Sequence, residues 1–153
     1  MVPLGGALLR DHVYDAFMHG PEHLIEFFHG YTYSGHPLAC AAGLAALEVY
    51  RDEELFARAR GLEPLLAEAV HALRGEPNVI DIRNFGLAAA VELAPRGEGV
   101  ALRAMEVFDR CFEQGLMLRY TGDILVLGPA ATASEDELGI MVDILRRAIR
   151  ATK

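Results

Sequence analysis

Apolar positions recur along the chain with two different periods, and each switch of period marks a new element. From Leu55 through Ala59, Leu62, Leu66, Ala69 and Leu73 the step is three or four residues, which predicts one buried helix face. Glu53, Glu54, Arg58 and Glu68 fall on the solvated side. Pro64 interrupts this run and predicts a kink or a division, and Gly75 supplies a left-handed stop. Residues 79–83 then alternate, Asn84-Phe85-Gly86 turns the chain, and Leu87, Ala89, Val91 and Leu93 share one face of a second strand. An antiparallel pair follows. Helical spacing returns at Ala101, Ala104, Met105, Phe108, Cys111 and Phe112, closed by Gly115, with Met105 and the aromatics as core filling. Two short strands, 116–120 and 124–127, flank Thr121-Gly122-Asp123. Ser134-Glu135-Asp136-Glu137 has the capping-box pattern and opens a last helix that buries Leu138, Met141, Ile144, Leu145 and Ala148.

The first fifty residues are patterned less regularly. Residues 4–9 read as a short apolar strand. Asp11 can cap a helix bearing Val13, Tyr14, Phe17 and Met18, ended by Gly20-Pro21. Residues 22–28 form a connecting segment. A helix is predicted over 37–50, with Pro37 at its first position, and Asp52 can cap the helix after it. The order is thus helices, antiparallel strands, helix, short strands, helix. That is an α+β fold with helices on one face of a small, mainly antiparallel sheet.

The stretch His29-Gly30-Tyr31-Thr32-Tyr33-Ser34-Gly35-His36-Pro37 and the small residues Ala39, Ala41, Ala42 and Gly43 stand apart. A helix start leaves backbone N–H groups without partners at the positive end of the dipole, and such an end attracts an anion, most often phosphate. Thr32 and Ser34 add hydroxyl donors. The plain alternative is an ordinary capped helix after an aromatic turn.

Composition narrows the possibilities. The 153 residues are 52% hydrophobic and 24% charged, an ordinary globular balance, and the formal charge of −8 argues against nucleic acid or an anionic membrane as main partner. No apolar run approaches the ~18 residues of a spanning helix. Cys40 and Cys111, far apart on predicted helices, read as reduced packing residues of a cytoplasmic protein. His19 and His23 have helical ligand spacing, but Gly20-Pro21 separates them, and His29 and His36 lack a Cys or carboxylate partner; no metal is expected.

The string Phe27-Phe28-His29-Gly30-Tyr31-Thr32-Tyr33-Ser34-Gly35-His36-Pro37 resembles class III pyridoxal-phosphate aminotransferases, in particular the ω-amino acid–pyruvate (β-alanine–pyruvate) type. Val79-Ile80-Asp81-Ile82-Arg83-Asn84, Gly86-Leu87, Val91-Glu92-Leu93-Ala94-Pro95 and Gly115-Leu116-Met117-Leu118-Arg119-Tyr120-Thr121-Gly122 agree in the same order. The resemblance covers about the last third of such an enzyme. It implies the C-terminal small domain of a fold-type I pyridoxal-phosphate transferase over 51–153, and over 1–50 a remnant of the large cofactor domain with the interdomain helix. It implies a homo-oligomer, a dimer or higher, joined through residues 31–37. The implied reaction moves an amino group from an ω-amino acid or amine to pyruvate, giving alanine.

Residue by residue, Arg119 in Arg-x-x-Gly matches the arginine that grips a substrate carboxylate. Thr32 matches the threonine that hydrogen-bonds the cofactor phosphate from the neighbouring subunit, and Tyr31 would line the rim of the substrate pocket. Ser34 and His36 are expected to shape the loop. Pro129-Ala130-Ala131 departs from the family's Pro-Pro-Leu and puts the local pocket wall in doubt. The catalytic lysine is the larger departure. The single lysine of the sequence is Lys153, its last residue, and Val2-Pro3-Leu4-Gly5-Gly6-Ala7-Leu8 resembles the piece that follows the family lysine. The Gly-Ser phosphate cup and the acidic partner of the pyridinium lie further upstream in the family. A fragment that transaminates nothing alone is expected; the rival expectation is a noncatalytic assembly module.

Overall fold

A computed structural model describes residues 2–23 and 30–152. Most of the connecting segment 22–28, together with His29 and Lys153, lies outside them. The chain divides into two compact units, Met1–Asp52 and Glu53–Lys153.

In the second unit a four-stranded antiparallel sheet has the order β1-β2-β4-β3, formed by β1 (Val79–Phe85), β2 (Ala88–Leu93), β3 (Arg119–Thr121) and β4 (Ile124–Leu127). Both hairpins turn in two residues. The first loop residue is Gly86 in one and Gly122 in the other, with φ of 54° and 55°. A side chain strains that conformation, so glycine closes each turn and fixes the register Phe85↔Ala88 and Thr121↔Ile124.

Alternation then decides the faces. Ala89, Val91 and Leu93 of β2 and Leu125 and Leu127 of β4 point inward and are buried. Three helices cover them. These are α3 (Leu55–His71) with Leu62, Leu66 and Val70, α4 (Leu102–Glu113) with Ala104, Val107 and Cys111, and α5 (Glu135–Ala151) with Leu138, Val142, Leu145, Ala148 and Ile149. The capping box forms as expected: Glu137 N–H donates to the Ser134 hydroxyl and Ser134 N–H to the Glu137 carboxylate. These bonds from Ser134 hold the Glu137 carboxyl below its usual value.

Several expectations fail for identifiable reasons. Pro64 does not divide α3, which runs unbroken through it. Buried Leu62 and Leu66 on either side anchor both halves to one core, and packing overrides the one hydrogen bond that proline removes. The buried face of α4 is shifted: Met105 and Phe112 are exposed, while Arg103 turns inward and donates from Nε to the Ala94 carbonyl at 2.8 Å. β3 begins only at Arg119, because Leu116 and Leu118 are buried without being paired. Asp52 ends a helix and does not cap the next one; Glu54, at φ 48°, precedes α3. Gly75, at φ 93°, lies beyond the last helical residue, His71.

The first unit contains α1 (Asp11–Asp15) and α2 (Pro37–Asp52). Residues 4–9 form no strand; among the described residues no neighbouring strand takes their backbone groups. Asp11 is inside α1, whose N-cap is Arg10 without a side-chain bond; α1 stops at Asp15, before Phe17 and Met18. Cys40 is exposed, against expectation, and Cys111 is buried.

Candidate functional site

β3 puts Arg119 and Tyr120 on opposite faces of the sheet. Tyr120 packs inward on Phe108, with ring centroids 5.3 Å apart, so Arg119 points from the open face. The register lines up one row across that face: Arg83 opposite Ala90, Ala90 opposite Val126, Val126 opposite Arg119. Two arginines thus flank a floor of small apolar side chains. Beside it lies a shallow cavity of about 260 Å3, lined by Arg83, Asn84, Phe85, Ala88, Ala90 and Val126 among others.

The two arginines differ in their partners. Arg83 donates to Asp81 and to Glu92, and those contacts, Glu92 first, raise its already high pKa. Arg119 is exposed, and among the described residues its guanidinium has no hydrogen-bond or ion-pair partner. Arg119 is not among the residues lining that cavity; a guanidinium beside an apolar row can take a carboxylate through two parallel hydrogen bonds, a geometry lysine cannot copy.

In the other unit, Tyr31 and Thr32 open a tight turn. Ser34 N–H donates to the Tyr31 carbonyl, Tyr31 N–H to the Ser34 hydroxyl and His36 N–H to the Tyr33 carbonyl. Gly35 takes φ 70°. Ser34 and His36 therefore shape the loop, as expected. The Cys40 N–H donates to the His36 carbonyl, and among the described residues the amides of Leu38 and Ala39 at the start of α2 have no backbone partner. A cavity of about 420 Å3 is bounded by residues 2–5, Tyr31, Tyr33, Ser34, Gly35, His36 and Ala39. Tyr31 lines it; Thr32 is exposed and does not. Arg119 belongs to the sheet unit, so the structure joins Tyr31 to Thr32 in one turn and Arg119 to Val126 and Ala90 on one face. Among the described residues, no group of three His, Cys, Asp or Glu could hold a metal ion.

The model of the class-III aminotransferase family matches residues 2–149. The chain belongs to that family. Class-III aminotransferases are pyridoxal-phosphate-dependent transaminases. An omega-aminotransferase of Caulobacter vibrioides is 51% identical over 148 residues, which are 97% of this chain and 34% of that protein. The beta-alanine–pyruvate aminotransferase of Pseudomonas aeruginosa is 43% identical over 150 residues, again 97% and 34%. The chain thus spans about a third of the length of the curated relatives it matches. Among solved structures, the adenosylmethionine-8-amino-7-oxononanoate aminotransferase of Methanocaldococcus jannaschii superposes with a TM-score of 0.84 at 26% identity, covering 94% of this chain and 34% of that one.

The family cofactor can be tested against the residues present. A hydroxyl such as that of Thr32 and backbone amides such as those at the start of α2 are of the donor type a phosphate takes. The amine that must hold pyridoxal covalently is absent from the described residues, and the one lysine of the sequence is Lys153. Among the described residues the covalent seat of the cofactor is therefore absent.

Arg83 is a face residue that the sequence motifs do not single out, although the alternation of β1 places it with Asp81 and Phe85 on the outer side.

Proposed function

We propose that this chain is the C-terminal portion of an ω-amino acid–pyruvate aminotransferase, with residues 1–50 a remnant of the large domain and 51–153 the small domain. The observation that carries the reading is the Arg119 guanidinium on the open sheet face beside Val126, without a partner among the described residues. Arg119 binds the carboxylate of an ω-amino acid such as β-alanine, or of pyruvate, while the parent enzyme moves the amino group and releases alanine. Thr32 donates to the cofactor phosphate across a subunit interface and Tyr31 forms the pocket rim there. The names of the relatives at 51% and 43% identity support this substrate class. As the 153 residues stand, the chain transaminates nothing alone, because no lysine lies within the fold to carry the cofactor.

Residues 2–149 built in place of the matching third of the Caulobacter vibrioides relative provide the test. The chimera is expected to form alanine from β-alanine and pyruvate. Arg119→Ala in that chimera lowers kcat/KM about a hundredfold, the equivalent of one charge-assisted hydrogen bond of about 1.5–3 kcal/mol, and Arg119→Lys does not restore it. A chimera indifferent to Arg119 would overturn the assignment.

A second reading, a noncatalytic assembly module, is favoured by α2. Ala39 is its one buried residue, and Leu44, Leu47 and Tyr50, at three-residue steps along one side, are exposed. A face this apolar is built to meet another subunit, and homo-oligomerisation through residues 31–37 belongs to both readings. A clean monomer in sedimentation at high concentration contradicts it. We assign the protein to the cytoplasm; among the described residues no helix is long and apolar enough to cross a membrane.

A further inference from the structure

β1 is an edge of the sheet. The order β1-β2-β4-β3 leaves its outer side without a strand. The two-residue turn at Gly86-Leu87 makes Phe85 and Ala88 exchange both of their backbone hydrogen bonds. Counting back by twos, Arg83 and Asp81 also direct their backbone groups toward β2. Ile82 and Asn84 therefore direct theirs outward, where no backbone group among the described residues meets them. An open row of this kind is a template for another strand.

Edges are ordinarily protected by charge, and this one carries Asp81 and Arg83 on the outer face. Their order has a consequence. When two copies of β1 meet antiparallel with Ile82 opposite Ile82, the Ile82 N–H and C=O of each copy bond those of the other. In the same register Asp81 of each copy stands opposite Arg83 of the other. Sliding by two residues in one direction sets Arg83 against Arg83, and in the other direction Asp81 against Asp81. A slide by one turns outward-directed groups toward inward-directed ones and makes no ladder. A single register is thus complementary both in hydrogen bonding and in charge. The β1 bulge lies at one end of this match, between Val79 and Asp81, and leaves residues 81–83 regular.

We propose that β1 is an interface between two copies of this chain, paired antiparallel about Ile82, with Asp81 and Arg83 as its reciprocal charge contacts. The paired sheet has eight strands, in the order β3-β4-β2-β1 and then the reverse. The proposal does not rest on the aminotransferase reading, and it concerns a surface other than residues 31–37.

Sedimentation velocity on Asp81→Arg, on Arg83→Asp, on their equimolar mixture and on the double swap D81R/R83D tests it. Each single variant sets like charges opposite one another at both reciprocal contacts, so self-association weakens about tenfold or more. In the mixture one chain carries two positive and the other two negative charges, and association returns as a heterodimer. The double swap restores it within one sequence. Association through α2, where present, is common to every arm and leaves the differences between arms unchanged. Equal association in all arms, single variants that stay weak when mixed, or a wild-type chain that remains monomeric throughout would each overturn the proposal.

Discussion

Glu76 ties the turn after α3 to the last turns of α5, and its removal has a calculable effect. The Arg150 guanidinium donates to both carboxylate oxygens, Nε to Oε2 at 2.7 Å and Nη2 to Oε1 at 2.6 Å, and Arg146 approaches to 3.5 Å. Glu76→Gln keeps the shape and removes the charge. A sheltered hydrogen bond to a charged group contributes about 1.5–3 kcal/mol, an exposed ion pair about 0.2–1 kcal/mol. The Glu76 side chain is 10% exposed and that of Arg150 62%, so this pair falls between the two cases. The expected loss is about 1 kcal/mol, which for a unit of about 100 residues lowers Tm by roughly 4–8 °C. The pH dependence follows from the same contacts. The Arg150 hydrogen bonds, working against burial, hold the Glu76 carboxyl below its usual value. A carboxyl whose pKa is lower folded than unfolded contributes stability above the unfolded value, and that stability is lost as pH falls through the folded value. Thermal melts followed by circular dichroism should therefore separate wild type and variant at neutral pH. The gap should close in acid, well below the ordinary glutamate value of about 4.3. Equal Tm values at neutral pH, or a gap that survives in acid, would refute the reasoning.

Three further outcomes are expected. Leu145 is fully buried in α5, and Leu145→Ala should cost about 2–5 kcal/mol in urea unfolding; a loss under about 1 kcal/mol contradicts its place in the core. Pro64→Ala should stabilise the protein by about 2 kcal/mol, since proline inside a helix costs about 3 kcal/mol and alanine returns about 0.4–1 kcal/mol of freedom to the unfolded chain. A lower Tm would mean that α3 depends on the proline ring. The Cys111 thiol is enclosed and its pKa is pushed up to about 11 by burial, so a thiol reagent should titrate Cys40 in the native protein and Cys111 only in denaturant. Two equivalents released natively contradict the packing of α4.

Sequence and structure agree where a local rule and the global fold demand the same thing. Gly86 and Gly122 close both hairpins, the Ser134–Glu137 box starts α5, and Pro37 opens α2, each on a signal of four residues or fewer. The disagreements arise where burial and element type separate. Met105 and Phe112 are larger and more apolar than Ala104 and Val107, yet the face that fits against α5 and β4 is the smaller one. Leu116 and Leu118 are as buried as strand residues without being paired, because burial needs a core and pairing needs a neighbour. Pro64 shows a local penalty overridden by packing. The candidate site divides in the same way. The family resemblance singled out Arg119, Tyr31 and Thr32; that Arg119 shares a row with Arg83 over Ala90 and Val126 depends on register across four strands, and no local pattern carries that.

The most direct test of the central claim is borohydride trapping of the chain with pyridoxal phosphate, followed by peptide mass mapping. The claim is that these residues carry the carboxylate and phosphate ends of a class-III aminotransferase site without its covalent seat. It predicts label at Lys153 and the N-terminal amine only, at the level of a denatured control. Stoichiometric label at Lys153, with a shifted absorbance band lost on denaturation, would contradict it and show that this fold holds the cofactor by itself.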